Sequence, residues 1–285
     1  MEKESRERDG GVSRIIGATP EEEIDALEYE RSLFKDQSGK EVTIGEKKFR
    51  MEDVEREKTP EEREIIAGIL AKMPEFVKQC GGTPVNLSED HIHIIDRGKL
   101  DEETQRQLKE SRMMGMQDTN QAAIFIFSCD NIVLFASGVT HEVIHFNSFI
   151  SEDKIKGEKR LVNRRYGLAI PIRKNIKNLY FNEINEAVTE KLAMLFGEKY
   201  FCEIPSVARE IDHTTIENYT SARNKIDGFI DALYEKNKDN LPSKEAVFNL
   251  FVGGYFTGNI LPLARLVEKT YGKGSFRRAG ELSKK

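Results

Sequence analysis

His141-Glu142-Val143-Ile144-His145 sets two imidazoles four residues apart with a carboxylate beside the first. On a helix, residues four apart project from one face about one turn apart. Both rings can then reach a single metal ion. Glu142 lies roughly 100° round the helix from His141. From there it can bond a water on the metal without being a ligand. Activation of water for attack on a carbonyl needs this arrangement. Val143, Ile144, Phe146 and Phe149 give the helix apolar surface to bury. A buried histidine pair needs a partner, and a metal is one.

A second segment, Asn182-Glu183-Ile184-Asn185-Glu186-Ala187-Val188-Thr189-Glu190, lies in a stretch without Pro from Tyr180 to Phe196 and reads as a helix. Glu186 and Glu190 share a face at i, i+4. Two like charges there destabilise a bare helix slightly, and a cation with a histidine N–H reverses that. Glu190 also lies in line with Ala187 and Met194. A carboxylate covered by such neighbours needs a partner. Glu183, at i−3 from Glu186, is a rival ligand on roughly the same face.

The two segments together resemble the gluzincin group of zinc metallopeptidases, the thermolysin-like half of the zincins. In that group a helix with H-E-x-x-H is followed by one with N-E-x-x-[ST]-[DE]. Asn185-Glu186-Ala187-Val188-Thr189-Glu190 matches that second pattern without a mismatch. The resemblance, carried by roughly Ala122 to Leu195, implies a zinc ion held by His141, His145 and Glu186. It selects Glu186 over Glu183, because only that register puts Asn before the ligand and Thr-Glu after it. It also implies that Glu190 orients a ligand histidine, expected to be His141. The other zincin branch continues H-x-x-G-x-x-H, but positions 148 and 151 are both Ser here.

The resemblance implies hydrolysis of peptide bonds, with Glu142 as general base and later as donor to the leaving amine. Such enzymes add a His or Tyr donor for the oxyanion. Tyr219 is favoured for that role, with His213 and Tyr180 as alternatives. The resemblance also implies an edge strand that binds the peptide by strand addition, expected among Ala122–Phe127 and Ile132–Ala136. The competing reading is a zinc-bearing regulatory or interaction module, with hydrolysis absent or restricted to one partner protein.

These residues need elements to hold them. Ala122 to Phe127 and Ile132 to Ala136 are apolar runs separated by Ser128-Cys129-Asp130-Asn131, and read as a strand hairpin. Gly138 is expected to end that strand-and-turn segment. Thr59-Pro60-Glu61-Glu62 is a helix-start signal with Pro at the first helical position. Ile65, Ile66, Ile69, Leu70 and Met73 then follow with amphipathic spacing. Thr19-Pro20-Glu21-Glu22 repeats the opening before a weaker pattern. His91-Ile92-His93-Ile94-Ile95 is extended, with both histidines on one polar face. A helix begins near Asp101. Arg164 to Ile170 is a short extended segment whose arginines face solvent or hold a substrate carboxylate. Helical spacing recurs at 216–234, 244–251 and 260–271, broken at Gly253-Gly254, Gly258 and Gly272.

The plan is α+β and zincin-like, a mixed sheet with the active-site helix followed by a mainly helical C-terminal subdomain. Residues 1–58 form a charged, partly helical extension with the character of a regulatory arm or pro-segment. Residues 59–178 carry the sheet and first zinc helix, and 179–285 the third ligand. At 285 residues the chain can bury a sizeable core. A net charge of −5 argues against nucleic acid as the main partner. No apolar run approaches the roughly 18 residues of a membrane span, and no apolar secretory h-region is seen near the N-terminus. A cytoplasmic location is expected, with peptide or protein as the substrate. Cys80, Cys129 and Cys202 are too far apart for a zinc finger and are expected to be reduced.

Overall fold

The computed structural model describes residues 14–16, 41–111, 113–118, 123–154, 161–172, 175–211 and 220–281. The class is α+β. β1 (Arg14–Ile16) precedes the hairpin β2 (Glu41–Ile44) and β3 (Lys47–Arg50). A short helix α1 (Met51–Val54) and strand β4 (Glu55–Arg56) lead into α2 (Pro60–Gln79). α2 starts as its sequence requires. The Thr59 hydroxyl accepts from the Glu62 amide, and the Glu62 carboxylate accepts from the Thr59 amide. A cap of this kind is worth about 1 kcal/mol. Glu62 also pairs with Arg56, tying α2 to β4.

β5 (Ile92–Ile95), β6 (Gly115–Asp118) and β7 (Ala123–Phe127) join β4 in one sheet of order β4-β5-β7-β6. β5 and β7 run parallel, and the outer pairings are antiparallel. Both faces of this sheet are covered, which is why β7 is apolar at every position. Ile92, Ile94, Ile124 and Ile126 face the large core. Ile95, Ala123, Phe125 and Phe127 face a smaller one with Val42, Ile44, Met51 and Val54, and with Leu108 from α3 (Glu102–Ser111). Residues 41–54 therefore build one cover of the sheet and 55–56 one of its strands, and the boundary expected near residue 58 runs through packed structure. The Thr19-Pro20 opening lies outside the described residues.

The expected hairpin after β7 is replaced by a helix. α4 (Ile132–Phe146) starts at Ile132, where Asn131 Oδ1 accepts from the Leu134 amide at 2.8 Å. The residues expected to form a strand turn thus cap a helix instead. α4 is central: Val133, Phe135, Ala136, Val139, Val143, Ile144 and Phe146 are all buried. A helix covered on nearly every side reads as an unbroken apolar run. Gly138 lies inside it.

Between the two motif helices the chain forms β8 (Ile150–Lys154), β9 (Leu161–Tyr166), β10 (Ile170–Ile172) and β11 (Asn175–Tyr180). β1 pairs in parallel with β8, which pairs with β9, and β10 pairs with β11. Then come α5 (Asn182–Tyr200), α6 (Pro205–Glu210), α7 (Thr220–Glu235), α8 (Lys244–Thr257), α9 (Leu261–Tyr271) and α10 (Ser275–Glu281). α8 runs through Gly253-Gly254, where a break was expected, and ends at Gly258 in the left-handed conformation. Among the described residues, no helix is long and apolar enough to cross a membrane.

Candidate metal centre

α4 and α5 pack side by side and bring the two sequence motifs together. His141, His145 and Glu186 form one cluster whose ligand atoms lie within 4.8 Å of one another. His145 Nε2 is 3.0 Å from His141 Nε2 and 3.2 Å from Glu186 Oε2. His141 Nε2 is 3.5 Å from the same oxygen. Three donors on a tetrahedral zinc, with bonds of about 2.0–2.1 Å, stand about 3.3 Å apart. The observed spacing fits that figure. Glu183 is exposed and outside the cluster.

The groups behind the imidazoles decide where their protons sit. His141 Nδ1 faces Glu190 Oε2 at 3.2 Å. A carboxylate only accepts, so Nδ1 carries the hydrogen. A neutral His141 then offers a bare lone pair at Nε2. His145 Nδ1 faces Tyr255 Oη at 3.3 Å and Thr189 Oγ1 at 3.4 Å. When Nδ1 donates there, His145 Nε2 is also bare. Two lone pairs and a carboxylate oxygen then converge with no hydrogen among them. A cation resolves that repulsion, and the nitrogen–oxygen set suits zinc.

The electrostatics agree. Burial pulls the His141 pKa down, but bonds to Glu186 and Glu190 and the charge of Glu142 outweigh it and push the ring up to about 10. Desolvation raises Glu186, yet His145 and His141 hold it well below the ordinary carboxylate range. Burial lifts Glu142 above its usual range, against the downward pull of His141 and His145.

Glu142 is 8% exposed and shares a cleft of about 290 Å³ with His141, Glu186, Glu190, Ser111, Met113, Met114, Gly115, Ser137 and Gly138. Two glycines make the approach to this carboxylate. A Cβ on Gly115 would stand 2.7 Å from Glu142 Cγ, and one on Gly138 would stand 3.1 Å from Met114 Cβ. β6 can therefore lie directly over α4. A larger cavity of about 830 Å³ lies between α2, α5, α7 and α8. There Asp227 and Asp231 are already paired with Lys191 and Lys244, so the smaller cleft is the chemical one.

α5 is held in register by its own motif. Asn185 Oδ1 accepts from the Leu168 amide at 2.8 Å, pinning the turn after β9 to the helix one residue before Glu186. Gly167 in that turn has φ +54, and any Cβ there would strike Asn185 Oδ1 and the Tyr255 ring. Tyr166, at the end of β9, has its phenol pushed up to about 12 by burial and by the charge of Glu186.

Several expected roles fall elsewhere. Tyr180 lies against Arg277 and the core, and does not line the cleft. Tyr219 and His213 lie outside the described residues. β7 is interior, so among the described residues the sheet edge beside α4 is β6. His91 closes a turn on Ser88, whereas His93 is buried against Glu55 and Phe125. Arg165 is part-buried, and among the described residues it meets carbonyls and no carboxylate. It donates to the carbonyls of Gly167, Gly254 and Gly258, capping α8, and its charge is stacked on Phe149. Cys80, Cys129 and Cys202 are free thiols. Tyr255 is the residue the sequence reading missed. It sits about 110 positions from His145, in a helix with no motif.

No family model matches the chain, and neither a curated protein nor a solved structure matches it.

Proposed function

We propose that the chain is a zinc-dependent peptidase of gluzincin type with a zincin-like fold. The observation that carries the proposal is the convergence of His141 Nε2, His145 Nε2 and Glu186 Oε2 beside a buried glutamate. His141, His145 and Glu186 would hold the ion. A zinc bound there supplies a Lewis acid and acidifies water at its open position.

The chain's own groups supply the rest. Glu142 takes the proton from the attacking water and returns it to the leaving amine. Burial raises its pKa, which makes the carboxylate a stronger base toward the attacking water. Glu190 keeps the His141 ring oriented. Among the described residues β6 is an edge strand of its sheet, the position at which an extended peptide adds. Gly115 brings that edge against Glu142. Tyr219 is the proposed oxyanion donor, with His213 as the alternative.

The test is Glu142→Gln assayed on a mixed peptide library. Zinc content should match the wild type while hydrolysis falls by about 10²–10⁴-fold. Undiminished hydrolysis would contradict the mechanism.

A further inference from the structure

We propose that Tyr255 is a positioning residue that fixes the tautomer of His145 and thereby keeps its Nε2 free for a metal. The consequence for metal binding rests on the zinc reading above. The tautomer itself does not.

The polarity of a hydrogen-bond chain carries the inference. Thr189 Oγ1 lies 2.9 Å from the Asn185 carbonyl oxygen. A carbonyl cannot donate, so the Thr189 hydrogen points to it. That leaves Thr189 Oγ1 as an acceptor for Tyr255 Oη, 2.8 Å away. The phenol has one hydrogen, which goes to Thr189, and the Ser148 hydroxyl that also bonds the phenol then donates to it. Tyr255 Oη can therefore only accept from His145 Nδ1, at 3.3 Å. With the shorter contacts assigned first, His145 Nδ1 is left as the donor to Tyr255 Oη and Thr189 Oγ1, which is the Nδ1–H tautomer.

The phenol is built to keep that direction. Tyr255 is fully buried, away from water that could compete for its hydroxyl. Its ring is wedged by the Gly167 turn, and its carbonyl accepts from the Phe149 amide at 2.8 Å. The chain spans three helices: His145 on α4, Thr189 on α5 and Tyr255 on α8. It ends on the carbonyl one residue before Glu186, so it couples the C-terminal helices to two of the three cluster residues. Partners of this kind set ring orientation and ligand basicity, and their loss typically costs 10–100-fold in metal affinity.

Two measurements on the full chain test this. The first is a long-range ¹H–¹⁵N correlation spectrum of metal-free protein, which reads each ring's tautomer directly. His145 should show the Nδ1–H pattern, and Tyr255→Phe should mix in the other tautomer. A pure Nε2–H pattern in the wild type would overturn the proposal whether or not zinc binds. The second is zinc titration against a competing chelator, with the ligand-field spectrum of the cobalt-substituted protein beside it. Tyr255→Phe should weaken zinc about 10–100-fold and shift the cobalt bands. Thr189→Val should do the same, and Thr189→Ser should restore both. Unchanged affinity and bands in a folded Tyr255→Phe protein would overturn the proposal. If that variant fails to fold, the Thr189 pair decides: equal behaviour of Val and Ser would overturn it. A wild type that takes up no zinc would refute the metal reading and leave the tautomer result standing.

Discussion

Glu190 Oε2 stands 3.2 Å from His141 Nδ1, while His141 Nε2 faces Glu186. One ring thus has a carboxylate behind it and the cluster in front. The rear carboxylate holds the hydrogen on Nδ1 and leaves Nε2 to ligate. Glu190→Gln replaces an acceptor-only group with one that can also donate, so the tautomer is no longer enforced. Zinc affinity should fall about 10–100-fold. Chelator competition measures this, and a dissociation constant equal to wild type would remove Glu190 from the account.

Gly115 is the close-approach residue of the cleft. A methyl group there meets Glu142 Cγ at 2.7 Å, Ile126 Cδ1 at 3.0 Å and the Phe125 carbonyl at 3.0 Å. The backbone of β6 cannot yield without breaking its ladder to β7, so Glu142 must turn. Gly115→Ala should retain zinc but lose at least about tenfold in kcat/KM, since a displacement near 1 Å can cost 10²-fold. Steady-state kinetics beside metal analysis checks it. Equal kinetics would show that Glu142 has slack.

Glu152 gives a pH signature independent of the metal. It is buried in β8, and burial pushes its carboxyl up to about 7. The unfolded carboxyl titrates near 4.3. Between those values the native state holds a proton that the unfolded state releases. The contribution of Glu152 is thus fully present below the unfolded value and is lost as pH rises through about 7. Glu152→Gln removes that slope. Relative to wild type, the variant should gain at most about 3 kcal/mol between pH 4.5 and 8. Denaturant unfolding at both pH values measures it, and a constant difference would show that Glu152 keeps its water.

The cluster of His141, His145 and Glu186 was legible because its residues are local in sequence. His141 and His145 share one turn of helix, and Asn185, Glu186, Thr189 and Glu190 share another. Each segment needs only helical periodicity to place its groups. What failed were inferences about burial. Ile132 to Ala136 reads equally as a buried strand or a buried helix, and Asn131 as a cap was the signal that could have decided it. Residues 41–56 looked like part of a charged arm because only alternate positions such as Val42 and Ile44 face inward. An arm deletion must therefore stop before Glu41. Tyr255 could not be found, because its role depends on how α8 docks across the chain. Arg165 likewise finds its carbonyl cage only through the end of α8.

The metal-to-protein ratio of purified protein, read beside Glu186→Ala and Glu183→Ala, tests the central claim most directly. The zinc centre predicts about one equivalent in the wild type. Glu183→Ala should match it, and Glu186→Ala should lose most of it. Less than about a tenth of an equivalent in wild type never exposed to chelator, or retention by Glu186→Ala with loss by Glu183→Ala, would contradict it.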